Sequence, residues 1–540
     1  MPMRCRPAVL ESAPLVALAL LTGGLLAPAP ASARTEIAPY IEVDQTLVAD
    51  LKGGSDEVLT YTTAAVGVDG SVTSRRTEAQ ISLRYDHQFG WNSRTPDQDI
   101  FSGIARARYQ VVPGALSIEG GGIATRVRSD GLYSASGSLA NAGDATSDIY
   151  SFFVGPTLDT QVGDLSVAAA YRFGYTRIED NVGFTAPDVA RIGAYDDSTF
   201  HSFTASVGQK ADDLPVGWVV SAGYDRENAS ELSQHYDDKW VRLDLTVPLT
   251  PTFAAVGGIG YEALKISQRS ILLDGSGEPV LNSRGGFVSD TSVPRLTVYD
   301  VDGVIWDAGV LWRPSRRTSL EVRAGERYNT MHYVGTFSWH ANPKSLLQIA
   351  YFDTIDSFGR AMNGNLVGLP SSFDVARNPF SGDLTGCVSG ESGVNCFNDA
   401  LAAISAANYR HRGVSGQYSR TDGRWNWGLG MGWSQRKIIA PNDQVLGPID
   451  GTKDDYYFGQ LFGAVQMDEV SNLGGSLYAN YLDAGFSDIN VTNYGAYVTY
   501  NRRIGRRLSA QASLGLDSVD TSAIKQTVSL LGQVGLRYQF

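Results

Sequence analysis

Val-Ser-Leu-Leu-Gly-Gln-Val-Gly-Leu-Arg-Tyr-Gln-Phe, residues 528–540, closes the chain, and its reading decides the fold. The even positions carry Val528, Leu530, Gly532, Val534, Leu536, Tyr538 and Phe540. The odd ones carry Ser529, Gln533, Gly535, Arg537 and Gln539, and only Leu531 departs from the rule. A strand sends successive side chains to opposite faces, so this segment reads as a strand with one apolar and one polar face. Taken alone it fits a soluble sheet with one buried face as well as a barrel wall. The rest of the chain has to choose between them.

The alternation recurs. Ala79, Ile81, Leu83 and Tyr85 interleave with Glu78, Gln80, Ser82, Arg84 and Asp86. Leu165, Val167, Ala169, Tyr171, Phe173 and Tyr175 form a second comb against Ser166, Arg172 and Thr176, and Val241 to Val247 and Leu508 to Leu516 repeat it. A charge at every second position is excluded from a dry core, but not from a solvated face or a wet lumen. Aromatic placement separates those two. Trp425, Trp427, Leu429, Met431 and Trp433 share one face, and Trp425 to Trp433 spans about 26 Å of strand, or about 20 Å along a membrane normal after a tilt of roughly 40°. That approaches the ~25 Å apolar band of membrane barrels, with a Trp near each interface. Trp306 and Trp312 bracket Ala308 and Val310 in the same way, as Trp218 and Tyr224 bracket Val220 and Ala222. No run of about 18 apolar residues offers a membrane helix after the amino-terminal segment, which leaves a closed barrel to satisfy the backbone.

The expected fold is therefore all-β, a transmembrane antiparallel up-and-down barrel. Its last strand, ending on Tyr538 and Phe540, resembles the closing strand of bacterial outer-membrane barrels. The resemblance implies outer-membrane lipid around the wall and the barrel-insertion machinery as the partner that reads these two residues. Tight turns at Pro113-Gly114, Gly163-Asp164, Asp212 to Val216, Pro248 to Pro251, Arg313 to Ser315, Asn342-Pro343, Thr421 to Gly423, Asp468 to Asn472 and Arg502 to Arg506 alternate with longer links. The long links lie near 129–147, 178–198, 265–300, 355–405 and 438–453. Short periplasmic turns and long outer loops are the barrel pattern. Counting from Ile41–Ala49 to Val528–Phe540 predicts about 22 strands, within a range of about 18 to 24, with both termini periplasmic.

Upstream, Arg4 and Arg6 precede an apolar stretch from Leu15 to Leu26, then Pro28, Pro30 and Ala31-Ser32-Ala33. This reads as a removable secretory signal over residues 1–33, with residues 34–540 as one barrel domain. A strand follows Arg34 so closely that no room is expected for the plug domain of a TonB-dependent transporter. The formal net charge of −13 argues against a nucleic-acid partner. Cys5 departs with the signal, leaving Cys387 and Cys396 to form a disulfide in an oxidising compartment. Hydrolase, zinc-protease, P-loop and metal-type cysteine motifs are missing, so no catalytic residue, metal or cofactor is expected. His340 near Ser338 keeps a barrel-embedded hydrolase of lipid or polysaccharide open as an alternative. Gly428 to Gly432 read as strand glycines that permit curvature and close approach.

Parity sends Arg84, Arg106, Arg108, Arg172, Arg242, Arg323, Arg327 and Arg537 into the lumen, along with Glu78, Asp86, Asp244, Asp307 and Glu321. Such walls either bind or filter an anionic solute or interlock as rigid ladders. With 36 Arg against 8 Lys, planar pairing is favoured over loose solvation. An open barrel of this size would leave a large aqueous hole, so the longest link, 355–405, is expected to fold inward. Asn398 to Ala407 suits one short capped helix there. Finally, the run from Trp306 to Tyr328, W-D-A-G-V-L-W-R-P-S-R-R-T-S-L-E-V-R-A-G-E-R-Y, looks like a hairpin of outer-membrane barrels found beside exopolysaccharide and PEP-CTERM gene clusters. This implies a channel or conduit with polysaccharide or periplasmic export components as partners. A structural envelope protein without transport activity is the other alternative.

Overall fold

Twenty-two antiparallel strands form one ring in the computed structural model. It describes residues 34–53, 58–91, 97–129, 134–135, 146–180, 195–211, 215–282, 286–370, 372–390, 393–401, 407–485, 489–522 and 526–540. The expected signal lies outside the described residues. Each wall strand pairs with its sequence neighbours, and the first, Arg34–Lys52, pairs with the last, Thr527–Gln539, from Tyr40↔Gln539 to Lys52↔Val528. Closure leaves no free edge. The first strand starts well before Ile41, hidden in the sequence by Pro39, a residue that ordinarily argues against a strand. Pro39 sits where the closing ladder runs out, its carbonyl accepting from the Phe540 amide at 3.0 Å.

The predicted outer face is the observed one. Val241 and Leu245 are exposed to the outside, as are Trp306, Trp312, Trp425 and Met431, while Arg84, Asp86 and Asp307 of the other parity are buried inside. An apolar exterior on a closed antiparallel ring makes this a transmembrane barrel of the bacterial outer membrane. The described periplasmic turns are short as expected, and the one near Arg313 shifts to Arg316-Arg317 because the strand Leu296–Ser315 runs through Pro314. The outer links are not uniformly long: Thr318–Arg327 and Thr330–Asn342 are joined by the two-residue turn Tyr328-Asn329.

The described residues of the link 357–407 do fold into the lumen, with more structure than expected. They carry helix α1 (Phe358–Val367), a sheet of Phe373–Arg377, Leu384–Gly390 and Gly393–Cys396, and helix α2 (Asn398–Leu401). The expectation of one helix is thus corrected to two, and residues 402–406 of the predicted Asn398–Ala407 helix lie outside the described residues. α1 begins at Ser357, whose side chain accepts from the Arg360 amide at 3.2 Å. Phe358, Met362 and Leu366 recur every fourth residue on one face, and all three are fully buried. They pack against Ile104, Ile123, Ile149, Phe153 and Ile178 on the inner side of the wall. This arc of the lumen is a dry core rather than a wet channel, and each such side chain contributes about 1.5–3 kcal/mol by leaving water.

The outer mouth is covered as well. Ile271 and Phe287 of the link 269–295 meet Leu446 and Ile449 of the link 440–452, with Leu232, Tyr409 and Ile438 beneath them.

Candidate functional site

The inward charges predicted from parity are brought together in five paired groups. Arg84 reaches Glu42 at 2.7 Å, Asp86 at 2.8 Å and Asp44 at 3.4 Å. Arg106, Arg108 and Arg172 converge on Glu119 at 3.2, 3.5 and 3.3 Å. Arg242 and Arg323 are bridged by Asp244 (2.8 and 2.6 Å) and Asp307 (2.6 and 3.3 Å), and Arg323 adds Glu321 at 2.7 Å. Arg537 pairs with Asp69 at 2.6 Å and lies over the Tyr40 ring, while Arg327 pairs with Glu262. Glu78 lies exposed near the periplasmic end of its strand, and so does His340 at the rim of its own. Ordinary alternation marked the arginines but not their partners Glu42, Asp44, Asp69, Glu119 and Glu262, which sit on other strands.

The loop occupies seats cut into the wall. Phe380 packs with Val48, Tyr61 and Leu531, so the one residue that broke the alternation of the closing strand is a contact for the loop. A Cβ on Gly515 would stand 2.5 Å from the Phe380 ring. The Cys387–Cys396 disulfide forms as expected, joining adjacent strands of the loop sheet. It rests against Gly430, where a Cβ would meet Cys396 Sγ at 2.6 Å. Polar contacts complete the fit: the Phe373 amide donates to Gln80 at 2.7 Å, Tyr61 donates to the Phe380 carbonyl at 2.9 Å, and Arg126 pairs with Asp383 at 3.1 Å. These loop contacts span distant strands, and sequence spacing carried no signal for them.

Two latches hold the stems. At the first, Glu227 accepts from Ser357 at 2.5 Å and from Arg360 at 2.7 Å. At the second, Asp399 meets His411 at 2.8 Å, Ser434 at 2.6 Å and Arg436 at 3.3 Å. Burial pushes the Asp399 carboxyl up, but His411, Arg436 and Ser434 outweigh it and hold it well below the usual carboxylate range.

The outer cover has the opposite pH sense. Burial pushes the Glu231 carboxyl up to about 7, against a backbone hydrogen bond from Phe287 and with Asp196 adding to the rise. A carboxyl raised on folding contributes stability below its unfolded pKa of about 4.3 and loses it as pH climbs through the folded value. Protease cutting within the link 269–295 should accordingly be faster at pH 8 than at pH 5.5, and Glu231→Gln should flatten the difference. Equal rates in the parent protein at the two pH values would contradict this.

Tyr538 packs against Phe540 with ring centroids 5.2 Å apart, and Phe540 is exposed on the outside. Deleting Phe540, or replacing it with Asp, should lower assembly into the outer membrane while export continues. Normal heat-modifiable mobility together with normal protease resistance in that variant would refute the assembly role.

On the periplasmic side of the loop lies a cavity of about 700 Å³. The strand Phe373–Arg377 and the turn after it form its roof, with Tyr40, Arg84 and Arg537 on one side and Asn426, Asn472 and Asn501 on the other. Among the described residues, no group of three or more His, Cys, Asp or Glu is placed to hold a metal ion.

No protein-family model matches the sequence, and no curated protein matches it. Among solved structures, the chain is similar to the ferric-catecholate import receptor Fiu from E. coli K12, at 10% identity and a TM-score of 0.44, over 92% of this chain and 81% of that one. It is similar to the FrpB iron transporter from Neisseria meningitidis at 10% identity and 0.45, over 93% and 82%. The siderophore receptor PiuA from Acinetobacter baumannii gives 10% and 0.43, over 92% and 82%. Values this low carry no argument, and the fold rests on the ring itself.

Proposed function

We propose that this protein is a gated outer-membrane conduit whose gate is the loop 357–407. One observation carries the reading: the loop fills the lumen through seats shaped for it, yet it is continuous with the wall only at its two stems. A purely structural barrel has no need of a lumen closed by a separable element. Charge filtering is not the primary task in this reading, because the inward arginines that parity identified are already matched by carboxylates and serve as ladders. For cargo, the resemblance of the 306–328 hairpin supports a saccharide polymer leaving the cell, with export components as periplasmic partners. Catalysis plays no part in the proposal. Single-channel recording in a planar bilayer tests it: the intact protein should be mostly closed and the loop-deleted protein open. Equal conductance from two properly folded samples would leave the structural-protein reading in its place.

A further inference from the structure

We propose that the periplasmic cavity binds a neutral, hydroxyl-rich chain, an oligosaccharide, beneath the roof formed by Phe373 and Arg377. This rests on the conduit reading for its purpose, though not for its chemistry. A volume of about 700 Å³ falls within the ordinary range for ligand sites, about 300–1,000 Å³.

The two sides of the cavity differ in a way that selects the ligand class. On one side Arg537 is paired with Asp69 at 2.6 Å and Arg84 with Glu42 at 2.7 Å. Arg377 in the roof is held by neutral acceptors instead, donating to Ser102 Oγ at 2.6 Å, the Gly382 carbonyl at 2.9 Å, the Ser82 carbonyl at 3.1 Å and Ser82 Oγ at 3.2 Å. Gln511 donates to Asp44 at 2.6 Å and to Glu42 at 3.1 Å. An ionic ligand would have to break one of these pairs, or draw Arg377 off its four neutral acceptors, and strand a charge partly withdrawn from water. The other side is amide and hydroxyl. Asn501 donates to Asn472 at 3.2 Å, and Thr499 shares a hydrogen bond with Ser513 at 2.9 Å. Each amide offers both donors and an acceptor, the combination that vicinal hydroxyls require. Tyr497 and Phe462 add ring surface for the C–H faces of sugar rings.

The same chemistry continues up the wall. Gln460 donates to Ser476 at 3.3 Å, and Asn480 donates to Asn493 at 3.4 Å. On the four strands from Lys453 to Thr521, the inward charged residues among those described are Asp454, Asp517 and, at the rim, Arg503. Elsewhere the lumen is crossed by arginine ladders. Polar side chains thus continue from the cavity up the wall to α2, where Asn398 donates to Gln460 at 3.3 Å. The roof is also part of the gate, since Arg377 donates to Ser102 at 2.6 Å and Gln533 donates to the Pro379 carbonyl at 2.6 Å. A ligand in the cavity therefore touches the loop segment that must move.

Calorimetric titration of the full-length protein in detergent micelles tests the site without any current being measured. Maltoheptaose, cellohexaose and mannohexaose serve as neutral probes, and oligogalacturonate as the acidic one. At least one neutral probe should bind about tenfold more tightly than the acidic one. The double substitution Asn472→Leu, Asn501→Leu should weaken it by about tenfold or more. Gly474→Trp should abolish it by filling the cavity. A Cβ at Gly474 has its nearest neighbours at 3.6 and 3.9 Å, ordinary contact distances, so the branch point of the new side chain is admitted there. Absence of heat with all three neutral probes, tighter binding of the acidic probe, or parental affinity in Gly474→Trp would overturn the site. Failure of the gate is read separately, from conductance: binding can persist in a barrel whose loop never opens, and a loop-deleted barrel can conduct without binding.

Discussion

Excising residues 357–407 and joining Asp356 to Asn408 by a short turn should convert a mostly closed protein into one with large, steady conductance. The wall should survive the cut. Asp356 is the register partner of Tyr409, so the strands Ser345–Asp356 and Asn408–Asp422 already meet at the stems, and a hairpin linker of about two to five residues suffices. Wall stability comes from the closed ladder of backbone hydrogen bonds and from lipid contact, neither of which the loop supplies. The deletion does expose Ile104, Ile149 and Phe153 to water, so some loss of stability is expected along with the gain in current. Gly515→Leu gives a graded version, since the new side chain takes the place of the Phe380 ring. Brief openings on a closed background are expected there. Unchanged conductance in a loop-deleted barrel of normal heat-modifiable mobility would place the permeation path elsewhere and sink the gate.

Leu243→Arg should lower refolding stability in lipid by about 2–4 kcal/mol, the cost of an arginine facing lipid near the midplane. From alternation alone, the neighbouring Asp244→Asn is expected to be mild because Asp244 faces the lumen. The structure reverses that expectation. Asp244 lies between Arg242 and Arg323, and its loss would leave Arg242 to Asp307 and Arg323 to Asp307 and Glu321, with a cost of about 1–3 kcal/mol. Both substitutions should therefore destabilise, the lipid-facing one more. Urea titrations of the two variants in the same vesicles check the order. A Leu243→Arg protein as stable as its parent would mean that the strand is out of register.

The wall was legible because its constraints are local. Lipid on one side demands an apolar residue at every second position, and this demand is met strand by strand, as in Leu243 and Leu245 against Arg242 and Asp244. Short turns and the even strand count then follow from closure. The disulfide was legible because only Cys387 and Cys396 lie beyond the expected signal. Helix α1 was within reach as well, through Ser357 and the fourfold spacing of Phe358, Met362 and Leu366, but glycines at 359 and 364 weakened its propensity.

Sequence by itself therefore determined a transmembrane β-barrel, its inside and outside, and which link would enter the lumen. It could not tell which carboxylate neutralises which arginine. Arg537 and Asp69 meet only because the ring closes, and Glu119 gathers Arg106 and Arg108 from one strand and Arg172 from another. Nor could it interpret the residues that broke the pattern. Leu531 was visible as an apolar side chain on the polar face, and Ile104, Ile149 and Phe153 stand on that face too, but whether it meets water or protein depends on the route of the loop across the barrel. Only the tertiary structure decided that route, because it is set by contacts between side chains hundreds of residues apart, and a two-residue period carries no record of them.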